Sequence, residues 1–198
     1  MRYFVFASVL LASSAHADPK PAAGKSPDDA KLKQTMEAAE KAHAPGPQHA
    51  WLKTNLAGSW TVQSKAFGPN GEVMPSTGTS EVKATHGGRF LVEEFTQTRM
   101  GKPMSGTIWW GYDNMRKKFT SAEIDSVGTG MTTLSGTLDD ASKTLTLTGL
   151  TWSMSLNKEV PMRLVVHVES DKKHAIELFG TGADGKEVKR LELSYTRK

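Results

Sequence analysis

Two carboxylates two residues apart, Glu123 and Asp125, are the first candidates for chemistry in this chain. On an extended strand they share a face, and a carboxylate pair so placed is equipment for acid–base work on a glycosidic bond. The alternate positions, Thr120, Ala122 and Ile124, offer a core face. The expectation is therefore that Glu123 and Asp125 form a solvated outer pair. Glu93 and Glu94 are adjacent, point to opposite faces and cannot act together.

Histidine offers a second possibility. His43, His49, His86, His167 and His174 show no H-x-H or H-E-x-x-H spacing. If Ser170 to Lys173 form a hairpin loop, Glu169 stands opposite His174 and His167 is its diagonal neighbour, within reach of a shared metal. The expected reading is a polar outer surface with no metal and no cofactor. Haem ligation by His174 has no local feature in its favour. Met100, Met104, Met115, Met131, Met154 and Met162 would suit soft copper, but their spacing is irregular and no Cys or His cluster accompanies them. They read as adaptable core filler.

The aromatic residues say more about binding. In Trp109-Trp110 the two indoles must face opposite sides of a strand. Trp110 shares its parity with Met104, Ile108 and Tyr112, so these four are the expected inward group and the candidate ligand contacts. Trp60, in Gly58-Ser59-Trp60, is expected to be structural. It would close one end of a barrel, with Arg197, or alternatively Arg190, packed across its ring by a cation–π contact.

These residues need elements to position them. From Gly58 onward, short runs rich in Val, Leu, Ile, Phe, Tyr, Trp and Thr recur between Gly, Pro, Asn and Asp punctuation. Ten strands are expected, near 58–67, 77–85, 89–99, 104–113, 118–126, 130–138, 143–151, 161–169, 174–181 and 187–196. The connections are short, so consecutive strands should pair antiparallel. Closing such a meander into an up-and-down barrel removes its edges. Two short helices over 28–56 should precede the barrel domain at 57–198. Ser26-Pro27-Asp28-Asp29 reads as a helix start, Leu32, Met36 and Ala39 form an apolar stripe, and Pro45-Gly46-Pro47 is a stop.

The N-terminus reads as a secretory leader over 1–17. Arg2 supplies the charge, Phe4 to Leu11 a short apolar run, and Ala15-His16-Ala17 a cleavage site. A tether rich in Pro, Ala and Gly follows over 18–27. An exported protein, periplasmic or secreted after cleavage near Ala17, is expected. No later run approaches the roughly 20 apolar residues of a membrane span. Cysteine is absent, which excludes disulfides and thiolate metal sites. The net charge is +4, from 25 basic and 21 acidic side chains. Its basic runs, such as Arg116-Lys117-Lys118, are short and lie at turns, unlike a nucleic-acid groove.

Several segments resemble a bacterial family catalogued as domain of unknown function 1579. They are Leu56-Ala57-Gly58-Ser59-Trp60, His86-Gly87-Gly88-Arg89-Phe90-Leu91, Gly106 through Trp109-Trp110-Gly111-Tyr112-Asp113, the Gly128–Gly136 stretch and Leu193-Ser194-Tyr195-Thr196-Arg197. The resemblance runs from about Met36 to Lys198. It implies a calycin-like barrel, similar in shape to lipocalins and fatty-acid-binding proteins, and it assigns no catalytic residue.

Three functional readings follow. The first is an exported barrel that binds a small apolar or amphipathic ligand. The second is a hydrolase or isomerase using Glu123 and Asp125 or the His167–His174 pair. The third is a packed structural or interaction module without a ligand. Fold alone does not choose between them.

Overall fold

The computed structural model describes residues 27–68, 71–99 and 101–198. The leader, the tether up to residue 26 and the Ser26 cap lie outside these residues. The first helix, α1 (Pro27–Ala42), starts on a proline, with Asp28 and Asp29 in its first turn. Proline costs nothing where the N–H has no helical partner, and acids suit the positive end of the helix dipole. The chain divides into two compact units, Met1–Ala38 and Ala39–Lys198. In the first, Leu32 and Met36 are exposed, and Lys33 pairs with Glu37 one turn on.

The second unit holds α2 (Pro47–Leu56) and ten strands. These are β1 (Gly58–Phe67), β2 (Val73–Thr85), β3 (Phe90–Arg99), β4 (Lys102–Asp113), β5 (Lys118–Asp125), β6 (Thr132–Asp139), β7 (Thr144–Ser153), β8 (Lys158–Ser170), β9 (Lys173–Thr181) and β10 (Glu187–Arg197). Each strand pairs antiparallel with its sequence neighbour, and β1 pairs with β10 to close the barrel. Two strands start earlier than their sequence suggests, β2 at Val73 and β8 at Lys158. Pro75 and Pro161 both sit exposed in the ladder, where the missing N–H leaves no buried group unpaired.

Alternation sorts the side chains. On β1, Trp60, Val62 and Ser64 are buried while Thr61, Gln63 and Lys65 are exposed. On β7, Leu145 and Leu147 are fully buried, with Thr144, Thr146 and Thr148 on the outer face. Leu52 and Leu56 of α2 join this core, so the helix closes the end of the barrel where β1 begins.

Candidate ligand site in the barrel interior

The closed end is tightly constructed. Pro47 occupies the first turn of α2, and His49 Nδ1 accepts the Gly46 N–H at 3.0 Å. His49 is buried, and burial holds its pKa below the usual histidine range. It packs edge-on to Tyr112, and Trp51 packs edge-on to Phe119. The carbonyls ending a helix lack intrahelical donors. Here the Trp60 indole donates to Leu56 O at 2.9 Å, and Arg197 Nη1 donates to Ala57 O at 2.8 Å. The Arg197 guanidinium also lies 4.2 Å from the centre of the Trp60 ring. Gly58 has φ of 140°, and a Cβ there would stand 2.1 Å from Arg197 Nη1. Only glycine leaves room for this clamp.

Above the closed end lies a buried carboxyl. Glu93 on β3 is 3% exposed. It accepts Ser80 Oγ at 2.7 Å, Trp110 Nε1 at 2.9 Å and the Tyr195 hydroxyl at 3.2 Å. Burial pushes its pKa up, against the pull of these three donors. Glu93 is registered opposite Ile108, and Ile108 opposite Glu123. The two glutamates therefore occupy one row of the inner wall, two strands or roughly 10 Å apart.

Beside Glu123 the packing opens into a cavity of about 70 Å³. Apolar side chains form most of its wall, Val62, Phe95, Ile108, Leu164 and Ile176 among them, and Thr79, Thr96, Gln97, Glu123 and Tyr195 are its polar members. Among the described residues no hydrogen bond or ion pair reaches the Glu123 carboxyl. Burial raises its pKa to about 7, helped by the charges of Asp125 and Glu93. The arrangement offers an acceptor in an apolar space and a carboxyl that changes charge near neutrality.

A family model described as "Protein of unknown function (DUF1579)" matches residues 44–197. The chain belongs to this family. Among curated proteins none matches it. Of solved structures, Rv2717c from M. tuberculosis is 16% identical, with a TM-score of 0.58 over 78% of this chain and 99% of that one. An S-type phycobiliprotein lyase, CPES from Guillardia theta, is 7% identical, with a TM-score of 0.51 over 80% and 96%. At these identities the likeness is one of fold, a calycin-like barrel.

Within this DUF1579 barrel, β4 turns Trp110 inward and leaves Trp109 partly exposed. Met104, Ile108 and Tyr112 lie on the Trp110 side of the strand, but they do not gather at one place. Ile108 lines the cavity, and Trp110 binds Glu93 below it. Tyr112 packs at the closed end. Met104 is buried further along and receives the Gln97 amide. Arg190 stands away from Trp60 and donates to Thr181 O.

Two expectations are corrected. Glu123 and Asp125 are not an outer pair: Glu123 lines the interior, and Ile124, expected in the core, is exposed. The parity of β5 is set by Phe119 and Ser121, both buried. Asp125 is engaged as a turn cap for the Val127 and Gly128 N–H groups. His167, Glu169 and His174 do not converge either. An irregularity between Val168 and Ser170 pairs His174 with Val168. His174 is thus buried inside, stacked on Tyr195 and edge-on to Trp60. His167 faces outward towards Glu177, and Glu169 pairs with Lys173. Sequence reasoning missed Glu93 as a site residue, although it shares its parity with Leu91 and Phe95.

Proposed function

We propose that this is an exported barrel that binds a small ligand, largely apolar with one hydrogen-bond-donating group, in the cavity beside Glu123. The carrying observation is the unpartnered carboxyl in a wall that is mostly apolar. A pocket mostly apolar with a few convergent polar groups is the usual form of a small-molecule site. The volume suits a handful of non-hydrogen atoms, well below the ~300 Å³ or more of a drug-sized pocket. A phycobiliprotein lyase of the same fold supports the reading only as to what such a barrel can house. The leader pattern at 1–17 supports export, and N-terminal sequencing of the mature protein tests it. A chain starting near Asp18 is expected, and an intact Met1 in the cytoplasmic fraction overturns it.

Binding is tested by native mass spectrometry of protein purified from its own host, with titration of propylamine and 1-propanol followed by NMR. The Trp110 indole N–H resonance reports, because that group binds Glu93 and Glu93 binds Tyr195 on the cavity wall. A saturable shift with propylamine is expected, weakened about tenfold or more in Glu123→Leu, as for loss of a charged hydrogen bond. No retained molecule and no saturable shift with either compound would leave a packed module instead.

A further inference from the structure

The outer wall of the barrel has two unlike halves. Across β8, β9, β10 and β1 it carries ion pairs: Arg163 with Glu187, Lys189 with Glu177, and Lys65 with Glu192. Across β4 to β7 the outward positions from Ser105 to Gly111, Thr120 to Ile124, Thr133 to Thr137 and Thr144 to Trp152 hold no Asp, Glu, Lys or Arg. Many are Thr or Ser. The others include Trp109, 39% exposed, Ile124, 48%, Leu150, 54%, and Trp152, 55%, with Met131, 66%, just before β6. Trp109, Met131 and Leu150 line one groove, which Glu159 of β8 also lines. Trp152 and Ile124 lie two residues along the same faces from Leu150 and Ala122. Phe90 rests over Gly111 at one margin, where a Cβ would meet its ring at 2.7 Å.

We infer that this uncharged sector is a self-association face, whose occupant is the same sector of a second copy related by a twofold axis. The inference is independent of the cavity. Two observations select this occupant. The first is electrostatic. Two copies of a chain with net charge +4 repel, and burying ion pairs carries a desolvation cost. This sector is where they can meet with Glu159 the one charged residue lining the groove, and a twofold contact needs a surface that is its own complement. The second is area. The five apolar side chains expose on the order of 500 Å² together, at the upper end of what monomers usually leave in one patch. With the flanking hydroxyl-bearing residues the sector approaches the ~800 Å² that each partner gives to a standard interface.

Sedimentation velocity of the mature chain over a micromolar concentration series tests the inference. A monomer–dimer equilibrium is expected. Trp152→Lys should raise the dissociation constant about tenfold or more, as for a central interface aromatic. Because Trp152 is exposed, its replacement should leave the thermal unfolding of the monomer unchanged. Thr61→Lys, on the charged half, should leave the dimer intact. A wild type that stays monomeric throughout overturns the inference, as does a dimer unmoved by Trp152→Lys. So does monomeric protein that cosediments with phosphatidylglycerol vesicles, which would make the sector a lipid-facing surface.

Discussion

The closed end of the barrel and the cavity half above it are made by the same alternating strands, yet they treat ionisable groups in opposite ways. At the closed end, His174 is enclosed between Trp60 and Tyr195, and its Nδ1 has no hydrogen-bond partner. Burial, with Arg197 nearby, lowers its pKa to about 3. In the cavity half, burial raises Glu123 to about 7. One site suppresses a positive charge and the other a negative one. The closed end keeps its histidine neutral throughout the physiological range. The cavity keeps a carboxyl that still titrates where a ligand would meet it. Close packing removes a charge from use, whereas incomplete packing leaves it usable.

The largest expected effect is at the closed end. Trp60→Ala should cost about 3–5 kcal/mol in denaturant titration, as for a fully buried large aromatic. It also strands the Leu56 carbonyl and removes the surface under Arg197. A variant as stable as wild type would break the contrast at its root.

The pH dependences come next, and their signs differ. His174 has a depressed pKa, so its contribution is present above about 6.5 and is lost as pH falls towards about 3. His174→Phe should flatten the rise in stability over that window. Glu123 has a raised pKa, so its contribution is present below about 4.5 and is lost as pH rises through about 7. Glu123→Gln should therefore exceed wild type at pH 8 by about 2 kcal/mol, with little difference at pH 4. Unfolding midpoints at pH 4, 6 and 8 decide both, and equal slopes for wild type and variants would erase the distinction.

The smallest effect sharpens the packing side. Val166 is fully buried in the core, whereas Val62 borders the cavity. Val166→Ile should lose about 1 kcal/mol or more through overpacking. Val62→Ile should be near neutral and should weaken propylamine binding. If both cost the same, the cavity is not free space.

The barrel was legible in the sequence because its signals are local. Leu145 and Leu147 alternating with threonine announce a strand, and Asp139-Asp140 and Ala183-Asp184-Gly185 announce turns. The inward parity of Trp110 was readable because Met104, Ile108 and Tyr112 share it. The interior carboxyls were harder to see. β5 carries apolar residues on both parities, Phe119 on one and Ala122 with Ile124 on the other, so its core face was ambiguous. Glu93 looks like surface charge until Ser80, Trp110 and Tyr195, donors from three other strands, are brought to it. The place of His174 depends on the irregularity beside Glu169, which shifts register by one residue and leaves no mark in the sequence.

The Arg197 clamp also has a consequence for how the chain folds. Its bond to Ala57 joins groups 140 residues apart, and it sits where the last strand meets the first. Ten strands can zip as nine successive hairpins, each closing a short loop. The tenth pairing, β10 with β1, must form across the whole domain. Loop-closure entropy grows slowly with length, but closure of this kind sets a slow pace for barrels. A nascent chain cannot latch until β10 has left the ribosome. Until then, β1 is an unpaired edge open to other chains. Arg197 acts as a late checkpoint, and loss of residues 191–197 would leave a nearly complete sheet with no seam to close.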